Sequence, residues 1–267
     1  MSVTVRQVAA NDGVAWLRRA LVLLRSRPLA VSGSVFSYLL CLMLLSRVPV
    51  VGGLAAMVLV PLLYVGLMDL LRSLAAGQPA DFRRLFSAFA EPNARIRLIS
   101  LGVVYCVAII GCLAASALVD GGTVFRIAVL GEVPDRDAIS PVNATLAQGF
   151  ALLVYAPVSL AYWFAPQLVA WHGMSAGKAL FFSFFTCWRN LSAFVVFALT
   201  VMAAIFVYAL FLAMLAQSAG SVEQVSALML PFAILFMTVI YPAYFASYES
   251  LIAAKPTEAL QTEGDTP

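Results

Sequence analysis

The chain has 267 residues, 63% of them hydrophobic and 11% charged, with a mean hydropathy of +0.97 and a formal net charge of +3. That balance excludes a soluble globular domain and implies an all-α integral membrane protein. The small positive charge fits basic residues meeting anionic headgroups, and gives no reason to invoke nucleic acid as a partner.

The N-terminal stretch NDGVAWLRRALVLLRSRP opens with Asn11 or Asp12 as a helix cap. Trp16, Leu17, Ala20, Leu21 and Leu24 recur at helical spacing, with Arg18, Arg19 and Arg25 beside them. The pattern predicts an interfacial helix within a cytoplasmic segment, residues 1–28. An apolar run near 29–46 follows, bounded by Arg27-Pro28 and Arg47. No small-residue cleavage site comes after it, so it is expected to stay as a membrane anchor.

Further spans are expected near 51–71, 98–118, 148–171, 191–216 and 226–248. Each is long enough for a hydrocarbon core that takes roughly 20 helical residues to cross. Together the six spans form a transmembrane domain over 29–253, and the acidic residues 254–267 read as a disordered cytoplasmic tail. Pro61, Pro157, Pro166, Pro231 and Pro242 interrupt spans, and packing bends are the default reading.

Two short aromatic connectors separate spans two and three, and spans four and five. In DFRRLFSAFAE, the residues Arg83, Arg84, Ser87 and Glu91 oppose Phe82, Leu85, Phe86 and Phe89 on a helical wheel. In GMSAGKALFFSFFTCWRN, Lys178, Ser183, Thr186 and Arg189 oppose Leu180, Phe181, Phe184, Phe185, Cys187 and Trp188, while Phe182 breaks the polar side. Both are too short to span and too lopsided for bulk water. Short amphipathic helices at the inner interface are expected, with a re-entrant dip as the alternative.

Sliding the chain by 96 residues aligns 61–89 with 157–185. Pro61 meets Pro157, Gly77 meets Gly173, Ala80 meets Ala176, Phe86 meets Phe182, Ser87 meets Ser183 and Phe89 meets Phe185. The expectation is a parallel pseudo-repeat of hairpins, about 51–118 and 148–216. With the N-terminus inside, 13 of the 16 basic residues fall on the inner side, leaving Arg47, Arg126 and Arg136 outside. The asymmetry predicts both termini in the cytoplasm.

The opening AWLRRALVLLRSRP, the hairpin GLMDLLRSLAAGQPADFRRLFSAF and the stretch FAPQLVAWHGMSAGKALFFSFFTCWRN resemble a family of proteobacterial inner-membrane proteins of unknown function. The resemblance covers most of 12–250 and implies the fold and an inner-membrane location, without supplying catalytic residues. A looser similarity, in the glycine turn and the short helix after it, is to the membrane domain of bacterial glycerophosphodiester phosphodiesterases. This chain has no room for their soluble catalytic domain.

Ionisable groups within spans are candidate sites by default. Asp69 and Arg72 are read as a helix-surface ion pair, with a substrate or proton site as the alternative. Glu249 is read as an interfacial carboxylate below Tyr241, Tyr244 and Tyr248. His172, the single histidine, is read as a boundary anchor beside Trp171, against a far-fetched acid-base dyad with Cys187. Phe181, Phe184, Lys178 and Arg189 are the expected working residues of the second connector. No catalytic, cofactor or metal site is expected, since the chain has four scattered cysteines and neither a CxxC pair nor a phosphate loop. Asn143-Ala144-Thr145 fits a glycosylation pattern that has no meaning in a bacterium.

The expected function is therefore a non-enzymatic inner-membrane protein that organises lipid or partner membrane proteins, with further copies of itself as one such partner. Transport of a small or lipid-like solute is the alternative, weakened by the lack of a visible polar cluster at the bilayer midplane. An intramembrane enzyme is the third class, and its residues are nearly absent.

Overall fold

A computed structural model describes residues 3–49, 52–127, 131, 141–219 and 222–254. The acidic tail from residue 255 and most of the loop with Glu132, Asp135, Arg136 and Asp137 lie outside the described residues, as does the side chain of Asn143. The elements run β1 (Val3–Val5), α1 (Asp12–Ser26), α2 (Pro28–Ser46) and α3 (Gly52–Ala75), then a 3-10 helix (Phe82–Phe86) and α4 (Ser87–Ala90). There follow α5 (Pro92–Asp120), α6 (Thr123–Phe125), α7 (Pro141–Tyr162), α8 (Ala165–His172) and α9 (Ala176–Arg189). Last come α10 (Leu191–Ala219), α11 (Val222–Leu251) and β2 (Ile252–Ala254). Six helical segments are long and apolar enough to cross a membrane: α2, α3, α5, α7 with α8, α10 and α11.

The second span is the centre of the bundle. In α3, 56% of the apolar window is buried, against 11% in α10, so α10 is left exposed on most sides. Two glycines let neighbours close onto the centre. A Cβ at Gly66 would overlap the Leu85 carbonyl of the first connector, and one at Gly102 would overlap the Val58 carbonyl, so α5 and α3 touch backbone to backbone. The third span starts at Pro92, six residues before the expected 98, because a proline at N1 lacks only a donor that the helix does not use.

Four of the five span prolines sit inside continuous helices: Pro61, Pro157, Pro231 and Pro242. Pro166 alone breaks its span, which bends at Trp163 and Phe164 between α7 and α8. It cannot donate to the fourth carbonyl before it. Just ahead of it, Ser183 of α9 bridges the opened Phe164–Leu160 pair, donating to Leu160 O at 2.9 Å and accepting from Phe164 N at 3.0 Å.

Part of the α1 stripe is covered by protein where lipid was expected, while Leu21 stays exposed. Trp16 and Ala20 are buried, and the Trp16 ring lies 5.1 Å from Phe194 and donates through Nε1 to Ser250 at 2.8 Å. Gly13 is the entry point, since a Cβ there would strike the Ala193 carbonyl of α10. Asn11 makes no side-chain cap; Asp12 instead accepts from Ala9 N at 2.8 Å. Beyond α1 the chain forms a small sheet, in which β1 pairs antiparallel with β2 and sets Val3 against Ala254. The two described ends of the chain therefore lie together, on one side of the bundle.

Candidate functional site

The expected Asp69–Arg72 ion pair does not form. Asp69 accepts from Ser87 Oγ at 2.5 Å and from Trp171 Nε1 at 2.8 Å, joining the second span to the first connector and to α8. Arg72 lies over the same indole, its guanidinium carbon 3.4 Å from the ring centroid. One tryptophan thus meets the carboxylate with its edge and the cation with its face, which suits the negative face and positive edge of an aromatic ring.

The network continues into the last span. Trp171 packs edge-on against Tyr248, centroids 4.8 Å apart, and the Tyr248 hydroxyl lies 2.7 Å from His172 Nε2. Three sequence candidates, Asp69, Arg72 and His172, are so brought into one chain of contacts, while Glu249 is exposed beside it. Every polar atom named in this chain has a structural partner. The arrangement is a clamp on spans two, four and six.

The dyad of Cys187 with His172 finds no support in this geometry, because the imidazole engages Tyr248 and the thiol is fully buried. Burial pushes the Cys187 thiol well up from its usual range, opposed only in part by a hydrogen bond from Ser183, so it stays protonated and unreactive at neutral pH.

Helix α9 divides differently from its wheel. Its buried face is small: Ala179, Ser183, Thr186 and Cys187. Phe181, Phe185 and Trp188 point outward, at 65%, 43% and 57% exposed, with Lys178 and Arg189 also exposed. Phe184 is half-buried and stacks on Trp188 at 5.8 Å. The small polar face meets the protein because Ser183 and Thr186 satisfy their hydroxyls there, Thr186 donating to Phe182 O at 2.7 Å. Asn190 then holds the N-terminal segment to the end of α9, accepting from Val8 N at 2.9 Å and donating to Arg6 O at 3.2 Å. The first connector is a 3-10 helix followed by one α-turn, in which Leu85 is buried while Phe82 and Phe86 face out.

A polar cluster that single-span reading misses lies deeper. A cavity of about 480 Å³ is lined by Tyr38, Tyr64, Tyr105, Tyr155, Tyr162, Tyr241 and Tyr244, with Trp163 beside them. These are seven of the nine tyrosines in the chain. Tyr38, Tyr64, Tyr105 and Tyr241 sit ten to thirteen residues from helix ends on the connector side. At 1.5 Å per residue that is about 15–20 Å deep, near the middle of a core about 30 Å thick. The signal available in the sequence was this shared depth in separate spans, which becomes visible only when spans are compared end to end.

Residues of the helix break form one wall, where Tyr162, Trp163 and Pro166 surround the bend. The next residue, Gln167, is fully buried; its Nε2 donates to the Tyr64 hydroxyl at 3.2 Å and its Oε1 has no partner. Among the described residues no group of His, Cys, Asp or Glu is placed to hold a metal ion.

The fold and these contacts define a polytopic helical membrane protein built around a central second span. The chain is 37% identical over 246 residues, 91% of each chain, to a probable inner membrane protein of Burkholderia thailandensis, and it belongs to the family of that inner-membrane protein. No known family model and no solved structure matches the chain. Neither finding bears on the looser similarity to the phosphodiesterase membrane domain.

Proposed function

We propose that this is a non-enzymatic inner-membrane protein, both termini cytoplasmic, that organises anionic lipid around its inner face. The observation that carries the reading is helix α9, which buries its small polar face and turns Phe181, Phe185 and Trp188 outward between two exposed cations, Lys178 and Arg189. Such a surface is suited to acyl chains and headgroups at one depth. Burying a phenylalanine contributes about 1.5–3 kcal/mol and a basic residue near an anionic surface about 1 kcal/mol, so apolar contact dominates and charge selects the headgroup. Lipid, a second copy or another membrane protein covers the exposed flank of α10.

Support for the parallel pseudo-repeat comes from matched contacts. Gly77 and Gly173 both have positive φ, 82° and 63°, and each carbonyl is held by an arginine at the start of the preceding odd span: Arg27 for Gly77 at 2.6 Å, Arg97 for Gly173 at 2.5 Å. The aligned serines, Ser87 and Ser183, both reach back to the span before them. In this reading the two amphipathic connectors are repeated lipid-facing elements.

Native mass spectrometry of gently extracted protein tests the proposal. Retained anionic phospholipid is expected on the parent and on Lys178→Gln, and less on a Phe181→Ser, Phe184→Ser double variant. Equal retention by all three would overturn it. A second reading, transport of a lipid-like solute, is favoured by the tyrosine-lined cavity beside a broken span, a combination that recurs where substrates bind at the midplane.

A further inference from the structure

The tyrosine-lined cavity has a chemistry that points to its occupant. Its lining residues include no Lys, Arg, Asp, Glu or His, so it offers no counterion to a charged molecule. An uncompensated charge near the bilayer midplane is costly, which selects an uncharged occupant. The volume of about 480 Å³ lies within the usual 300–1,000 Å³ of small-molecule sites.

Donors predominate among the polar groups. Tyr162 spends its proton on Leu101 O at 3.2 Å. Tyr64 accepts from Gln167, and so keeps its own proton to donate. The Tyr38 and Tyr241 hydroxyls are hydrogen-bonded to each other, which leaves one proton of the pair over, whichever of the two donates. The rings are held edge to face, with Tyr38 and Tyr241 5.2 Å apart, Tyr105 and Tyr162 5.0 Å, and Trp163 and Tyr244 4.5 Å, so the walls are set by packing. Rigid aromatic walls with spare hydroxyl donors suit a molecule with a flat or chain-like apolar body and acceptor oxygens.

We propose that this cavity binds an uncharged, lipid-soluble molecule carrying carbonyl or ester oxygens, which donate no proton and accept from Tyr64 and Tyr241. The inference goes beyond lipid organisation at the inner face, and it names the ligand chemistry that the transport reading needs. Binding is measured without movement across the membrane, so the failure of the site and the failure of transport are separable.

The probe is menadione, a neutral ring with two carbonyls, titrated calorimetrically into full-length protein in nanodiscs of fixed lipid composition, against empty nanodiscs. Saturable binding is expected. The Tyr64→Phe, Tyr241→Phe double variant, which keeps both rings, is expected to weaken it at least tenfold. Val60→Trp, which fills the cavity from α3, is expected to abolish it. Circular dichroism melts check that the variants fold; if Val60→Trp does not, the double variant decides. No saturable binding to the folded parent, or unchanged binding in the folded double variant, overturns the proposal. So does tight binding of tetraphenylphosphonium in place of menadione, which would make the rings a cation cage.

Discussion

Arg97 donates from Nη1 to the carbonyl oxygen of Gly173 at 2.5 Å, across 76 residues of chain. The contact ties the start of the third span to the turn after the fourth, where Gly173 ends α8 in a left-handed conformation with φ of 63°. A side chain there is strained by about 1–2 kcal/mol, so Gly173→Ala is expected to lower stability by that amount. Ser175→Ala, two residues on, is expected to change little. Thermal unfolding in mild detergent compares the two, and equal stability would remove the turn from the argument.

Asp69 is predicted to matter more than a surface ion pair would. It accepts two hydrogen bonds, from Ser87 and Trp171, and bonds to a charged group contribute about 1.5–3 kcal/mol each. Asp69→Asn keeps an acceptor but loses the charge, and an effect of about 1–3 kcal/mol is expected. In a double-mutant cycle with Ser87→Ala the effects should be non-additive, because the two side chains share one bond. Full additivity would show that the contact contributes nothing.

Topology is checked by labelling intact cells with an impermeant thiol reagent. Cysteine at Val48, in the turn between the first two spans, is expected to react from outside. Cysteine at Ala76 or Ser175, in the two glycine turns, is expected to react only after permeabilisation. The basis is the excess of basic residues on the connector side. The opposite pattern would invert the bundle.

The buried Cys187 gives a pH prediction. Its thiol is raised in the folded state and titrates near 8.5 when unfolded. Above that pH the unfolded chain has released a proton that the folded chain still holds, so stability is full below about pH 8.5 and falls above it, by at most about 1.4 kcal/mol per pH unit. Cys187→Ala is expected to flatten that alkaline fall. Melting temperatures from pH 7 to 10 for both proteins decide the matter, and parallel curves would contradict it.

Depth is best read from Trp188, since Cys187 faces inward. A spin label at Trp188→Cys, with the four native cysteines replaced by alanine, is expected to favour oxygen over an aqueous quencher. Adding Phe181→Ser and Phe184→Ser should shift it towards water. A parent label already open to water would make α9 an ordinary surface helix.

Membrane class and span number were decided by composition and run length, because a hydrocarbon core of fixed thickness accepts few other sequences. The glycine turns and the existence of α1 and α9 were also legible, since helical periodicity and positive-φ glycine are local properties. What covers each face was not. Trp16 in a lone helix reads as lipid-facing, yet the groove between α10 and α11 takes it; Phe181 stays exposed because the small residues Ala179 and Ser183 allow closer packing. The partners of Asp69, the exchange of bonds at the Pro166 break, the pairing of β1 with β2 and the seven-tyrosine cavity were decided only by tertiary structure. Each joins residues tens to hundreds of positions apart, and a helix wheel carries angle and depth within one span but no information on which neighbour stands beside it.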